Sequence, residues 1–139
     1  MRVVLDTNVF VSALLAQSSL PGQLVGHWRR GEFILLTAAL QLDELREVTR
    51  YPKISERIKA TTAGRLMNDL RKVAVLVDPL LTVDVSRDPF DNYLLGIALG
   101  GEADYLVSGD KPGLLRLGRY EATKVVSVRD FMKLAQLLN

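Results

Sequence analysis

The chain has 139 residues, 48% hydrophobic and 24% charged, which excludes a disordered or fibrous protein and is long enough for one domain, residues 1–139, to bury its own core. It has no cysteine, which excludes disulfides, zinc–thiolate centres and thiol nucleophiles and fits a reducing cytoplasm, the expected location. The net charge of +2 permits a polyanionic partner without demanding one, no apolar segment is long enough to cross a bilayer, and Asp6 and Asn8 interrupt the N-terminus too early for a secretory signal.

The run Val3-Val4-Leu5 has no polar alternation and predicts a strand covered on both faces, with Asp6 at its carboxyl end. A helix is expected over 9–15, a break at Ser18 to Gly22, and a second helix from Leu24 to Arg30 that stops at Gly31. Phe33 to Leu36 reads as a second buried strand. Thr37 is the expected cap of a periodic helix reaching Arg50, which Tyr51-Pro52 ends because a residue before proline is pushed out of helical geometry. One short and one longer helix fill 52–72, the longer capped by Thr61 or Thr62. Val73 to Val77 predicts a third strand, and Leu81 to Val85 a short extended stretch. Asp88 then caps a helix that carries Pro89 at its first position and is closed by Gly100-Gly101. Tyr105 to Val107 and Lys124 to Val126 are the last strands, before a C-terminal helix. Strands separated by helices require crossovers, so the expected class is α/β: a three-layer α/β/α sandwich around a parallel sheet of four to five strands.

Four acids recur in similar settings. Asp6 ends the first strand, at the edge where ligands collect in open α/β sheets, although a cap for the next helix accounts for it equally simply. Glu44 lies on one helical row with Leu40 and Val48, where a carboxylate needs compensation from a metal or from a salt bridge to Arg46 or Arg50. Asp91 shares a row with Leu95 and Leu99 and points to the packed side of its helix. Asp110 follows an apolar strand and a short polar turn, as Asp6 does.

Leu5-Asp6-Thr7-Asn8, Leu42-Asp43-Glu44-Leu45, Arg87-Asp88-Pro89 with Asp91-Asn92-Tyr93-Leu94-Leu95, and Ala103 through Asp110 follow one another in an order that resembles the PIN domain nucleases, in particular the toxins of type II toxin–antitoxin systems. The resemblance implies that Asp6, Glu44, Asp91 and Asp110 are the catalytic, metal-binding acids, with Asn8, Asp88 and Ser108 in support. It also implies single-stranded RNA as substrate, cut to leave a 5′-phosphate and a 3′-hydroxyl, a homodimeric state and a cognate antitoxin protein. Phe90 and Asn92 stand where close relatives are more acidic.

Electrostatics agrees with this resemblance. Two carboxylates about 4 Å apart repel by roughly 4 kcal/mol at an effective dielectric near 20, so a cluster of four calls for a cation or bound protons. An all-oxygen donor set, with no cysteine and a single histidine in the chain, selects Mg²⁺ or Mn²⁺ over zinc. Lys111 is the best individual candidate for a phosphate contact. Arg46, Arg50, Lys53, Arg57, Lys59, Arg65, Arg71 and Lys72 make the middle helices the most basic stretch, as a phosphate-binding surface or as a solvated face. His27 and Trp28 carry no evident chemistry, His27 beside Trp28, Arg29 and Arg30 reads as surface or partner-facing rather than as a ligand, and Leu14, Leu15, Leu20, Leu24 and Val25 exceed what one core needs.

Other classes fit less well. An aspartyl-nucleophile phosphohydrolase would carry a second Asp where Asn8 stands, and a phosphoacceptor domain would carry an acidic pair after its first strand. The alternative that survives is a catalytically silent module of the same fold that binds RNA or protein.

Overall fold

Six strands form one sheet in the order β3-β2-β1-β4-β6-β5. The structure is a computed structural model describing residues 1–109 and 112–138. β1 (Arg2–Leu5) pairs in parallel with β2 (Ile34–Thr37) on one side and β4 (Tyr105–Ser108) on the other. β3 (Val75–Leu76) extends the sheet beyond β2, and β6 (Thr123–Ser127) extends it beyond β4. Because the chain leaves β1 in one direction for β2 and later returns on its other side as β4, a crevice opens between the carboxyl ends of β1 and β4.

The strand alternation sorts the core into two layers. Val3 and Leu5 point to the face covered by α1 (Thr7–Leu15), α2 (Leu20–Arg29), α5 (Ala60–Val73) and α8 (Val128–Leu134), where Phe10, Leu24, Trp28, Leu70 and Phe131 are buried. Val4 points to the opposite face, against Leu94, Leu95 and Ile97 of α6 (Pro89–Gly100) and Leu114 of α7 (Pro112–Leu117). The expected α/β/α layering is therefore present, and the apolar excess of the early helices is absorbed: Leu24 and Val25 are buried, and Leu14 and Leu20 pack on the same cluster. Trp28 also belongs to this core, while His27 pairs through Nδ1 with Glu32 at 2.6 Å.

Several boundaries differ from expectation for identifiable reasons. The sheet has six strands rather than four or five, because Arg119–Tyr120 forms a two-residue strand, β5, antiparallel to β6. β3 keeps only two residues of the expected five, since α5 continues through Val73; both its residues are exposed at the sheet edge. Thr37 remains in β2 and donates to the Gln41 side chain, so α3 (Ala39–Val48) starts without a side-chain cap. Lys59, not Thr61 or Thr62, stands at the cap of α5, behind the one-turn α4 (Pro52–Ser55). Residues 81–85 form no strand. They lie close to α6, where a side chain on Gly96 would strike the Leu81 carbonyl.

Candidate active site

Asp6 leaves β1 at the crevice and becomes the cap of α1, which begins at Thr7 rather than Val9. Its amide donates to Val107 O at 2.8 Å, fixing it beside the end of β4, and its side chain is 3% exposed. There Ser108 Oγ, fully buried, donates to Asp6 Oδ2 at 3.0 Å, and the Asn8 amide approaches Oδ1 at 3.5 Å. The carboxylate caps α1, as the simpler of the two expectations has it, and it does so at the mouth of the sheet beside β4. Asn8 in turn accepts from the Gly109 amide at 3.3 Å. A Cβ on Gly109 would stand 3.2 Å from the Asn8 side-chain amide, so a larger residue there would push this amide aside by a few tenths of an ångström.

Glu44 faces the same opening from α3. Neither Arg46 nor Arg50 pairs with it among the described residues; its Oε1 accepts from the Tyr93 phenol at 2.9 Å. Leu40, expected on the same apolar row, is 50% exposed, so that row turns inward only from Glu44 onward. A cavity of about 330 Å³ is lined by Asp6, Thr7, Asn8, Glu44, Phe90 and Tyr93.

Asp91 lies in the first turn of α6, 4% exposed, and accepts from Ser86 Oγ at 3.1 Å. It is not in the lining of that cavity. A Cβ on Gly113 would stand 3.6 Å from Asp91 Oδ2, so the start of α7 passes beside this carboxylate. Asp88 is engaged as the cap of α6, its Oδ1 accepting from the Phe90 amide at 2.9 Å. Asn92, where close relatives are more acidic, holds the preceding loop: its Oδ1 accepts from the Val85 and Ser86 amides and its Nδ2 donates to Ser86 O. Asp110 and Lys111 lie outside the described residues. Among the described residues no three His, Cys, Asp or Glu side chains stand close enough together to hold a metal ion. The donors around the cavity are nevertheless carboxylate, hydroxyl and amide oxygens, with neither histidine nor cysteine, which is the ligand chemistry of a hard divalent cation.

A family model described as PIN domain matches residues 2–112, the stretch that carries Asp6, Glu44, Asp91 and the strand ends. The chain belongs to the PIN domain family. PIN domains are in general nucleases and hydrolases that use divalent metals. An uncharacterized protein of the archaeon Methanocaldococcus jannaschii is 27% identical over 111 residues, covering 79% of this chain and 71% of its own length. No solved structure matches the chain.

Within this PIN domain, sequence reasoning overlooked the polar chain behind Glu44. Thr37 Oγ1 donates to Gln41 Oε1 at 2.7 Å, Gln41 Nε2 donates to Leu5 O at 2.7 Å and to Thr7 Oγ1 at 3.4 Å, and Thr7 lies 3.3 Å from the Tyr93 hydroxyl. Since the Tyr93 proton points at Glu44, Thr7 donates to Tyr93, and every link has one donor and one acceptor. Burial raises the Tyr93 pKa well above its ordinary value; the Thr7 hydrogen bond opposes this, and the Glu44 carboxylate adds to it. Tyr93 therefore stays a neutral donor. The available signal was Thr7, Gln41 and Tyr93 on faces otherwise apolar, where a polar group requires a partner.

Proposed function

We propose that this PIN domain is a Mg²⁺- or Mn²⁺-dependent endoribonuclease that hydrolyses single-stranded RNA, with Asp6, Glu44, Asp91 and Asp110 holding the ion. The observation that carries this reading is the pair Asp6 and Glu44, brought from the carboxyl end of β1 and from α3 to the wall of one cavity between α1, α3 and α6. Bound there, a divalent ion supplies charge neutralisation and water activation for in-line displacement at phosphorus. The chain's own groups prepare the site. Ser108 orients the Asp6 carboxylate, Tyr93 orients Glu44, Ser86 orients Asp91, and Asn8 holds the Gly109 turn against α1. Lys111 is assigned a phosphate contact. The products carry a 5′-phosphate and a 3′-hydroxyl.

The order of motifs supports a role as the toxin of a toxin–antitoxin pair, acting in the cytoplasm as a homodimer that a cognate antitoxin obstructs. The test is cleavage of a mixed single-stranded RNA pool with Mg²⁺ or Mn²⁺, with EDTA, and by Asp6→Asn. Cleavage lost under both EDTA and the substitution supports the proposal. Cleavage indifferent to either contradicts it, and RNA binding without cleavage under any condition favours the silent module.

A further inference from the structure

A second cavity, about 540 Å³, lies between α3, α4 and α5, on the far side of α3 from the catalytic crevice. Its charge is one-sided. Arg46 on α3, Arg50 just beyond its end and Arg71 on α5 line it, no carboxylate does, and none of the three is ion-paired among the described residues. Three guanidinium groups converging on one cleft with no acid in its lining make a local positive field that attracts an anion, and arginine suits phosphate by its planar fork. The rest of the lining differs in kind: Ile58, Ala63 and Met67 are apolar, and Asn68 supplies an amide. That combination fits a nucleotide, with phosphate on the guanidinium rim and the base against the aliphatic wall beside the Asn68 amide.

α3 forms a wall shared by both cavities. Glu44 and Val48 face the catalytic cavity, while Arg46 and Thr49 face this one. The two are thus separated by one helix, about 10 Å across. The geometry points to a nucleotide-binding subsite in the α3–α5 cavity that holds a flanking residue of the same single-stranded RNA whose scissile phosphate lies near Asp6 and Glu44. The inference rests on the ribonuclease reading for the identity of the strand.

Gly64 provides a test that leaves the charges in place. It lines the cavity inside α5, and a Cβ there meets nothing within 4 Å, so Gly64→Phe can branch from the helix without a clash at Cβ and place its ring at the cavity. Replacing glycine inside a helix also favours folding. In an Asp6→Asn background, binding of a short fluorescent single-stranded oligoribonucleotide is followed by anisotropy against salt. Gly64→Phe and the triple variant Arg46→Ala/Arg50→Ala/Arg71→Ala are each expected to weaken binding about tenfold or more, and the triple variant to reduce the log–log salt slope by about 2. Arg129→Ala, exposed on α8, leaves binding unchanged. Circular dichroism of each variant verifies folding. Unchanged affinity in both variants, or loss only in the arginine variant, overturns the subsite; the latter marks plain surface charge. Cleavage abolished by Asp6→Asn alongside unaffected binding in these variants sinks the subsite and spares the ribonuclease. Binding lost in both variants by a protein that never cleaves does the reverse.

Discussion

The phenol of Tyr93 donates to Glu44 Oε1 at 2.9 Å, tying α6 to α3 across the cavity that Asp6 and Glu44 line. The hydroxyl sits between a carboxylate that must be aimed and a buried chain, Thr7 and Gln41, that aims it. Tyr93→Phe keeps the ring, its edge contact with Phe90 at 6.0 Å and the packing, but removes that link. Loss of the hydrogen bonds, one of them to a carboxylate, should cost about 1.5–3 kcal/mol in urea unfolding. The RNA cleavage rate at saturating substrate should fall roughly tenfold or more, since a loosened carboxylate is misplaced for the reaction, while KM changes little. A variant that cleaves at the wild-type rate would remove Tyr93 from the site's machinery.

The same hydroxyl gives an alkaline signature. Its pKa is raised in the folded protein, chiefly by burial, from an ordinary value of 10.0, so the unfolded chain loses this proton first as pH rises. The contribution is fully present below that ordinary value and is lost progressively above it. Stability should therefore decline as pH climbs past 10, and Tyr93→Phe should show a shallower decline. Ultraviolet titration of tyrosinate should reveal one late-ionising fraction that disappears in the variant. A titration identical in the two proteins would contradict the assignment.

Ser108→Ala removes the buried donor to Asp6 Oδ2. A hydrogen bond to a charged group is worth about 1.5–3 kcal/mol, so the thermal midpoint should drop. Mn²⁺ affinity measured by calorimetry should also weaken, because the carboxylate is no longer held in one orientation. Restoring a hydroxyl with Ser108→Thr should recover the affinity more than the stability, since the added methyl enters a fully buried position.

Gly96→Ala tests the fold away from the site. An added Cβ meets the backbone carbonyl of Leu81, which a side-chain rotation cannot relieve. Overpacking of this kind costs about 1–3 kcal/mol, read as a lower denaturant midpoint. Gly64→Ala, also inside a helix but facing open space, should be neutral or stabilising.

Much of this architecture was legible in the sequence because uninterrupted apolar runs such as Val3 to Leu5 fit only a strand covered on both faces, and such strands carry their end residues to one edge. Asp6 and Ser108 could be placed there for that reason. Glu44 was legible as an acid on the inward side of a helix, yet its partner was not: Arg46 and Arg50, two and six residues away, were near in sequence, whereas Tyr93 comes from a helix 49 residues on. Local rules miss such pairs because the contact is created by the crossover. The strand expected from Val73 is shorter because Val73 and Ala74 continue an apolar run without being committed to it: the amphipathic pattern of α5 carries the helix on through Val73, and Ala74 ends it. Thr37 looked like a cap because a threonine before a periodic helix usually is one; here it remains in β2 and its hydroxyl is directed to Gln41.

The central claim is that carboxylates separated along the chain gather to bind one divalent ion for phosphodiester cleavage. Isothermal titration of Mn²⁺ into the wild-type protein and into Asp6→Asn tests it most directly. The account predicts saturable uptake by the wild type and its loss in the variant, with circular dichroism unchanged. Equal uptake by both proteins, or none by the wild type, would contradict it.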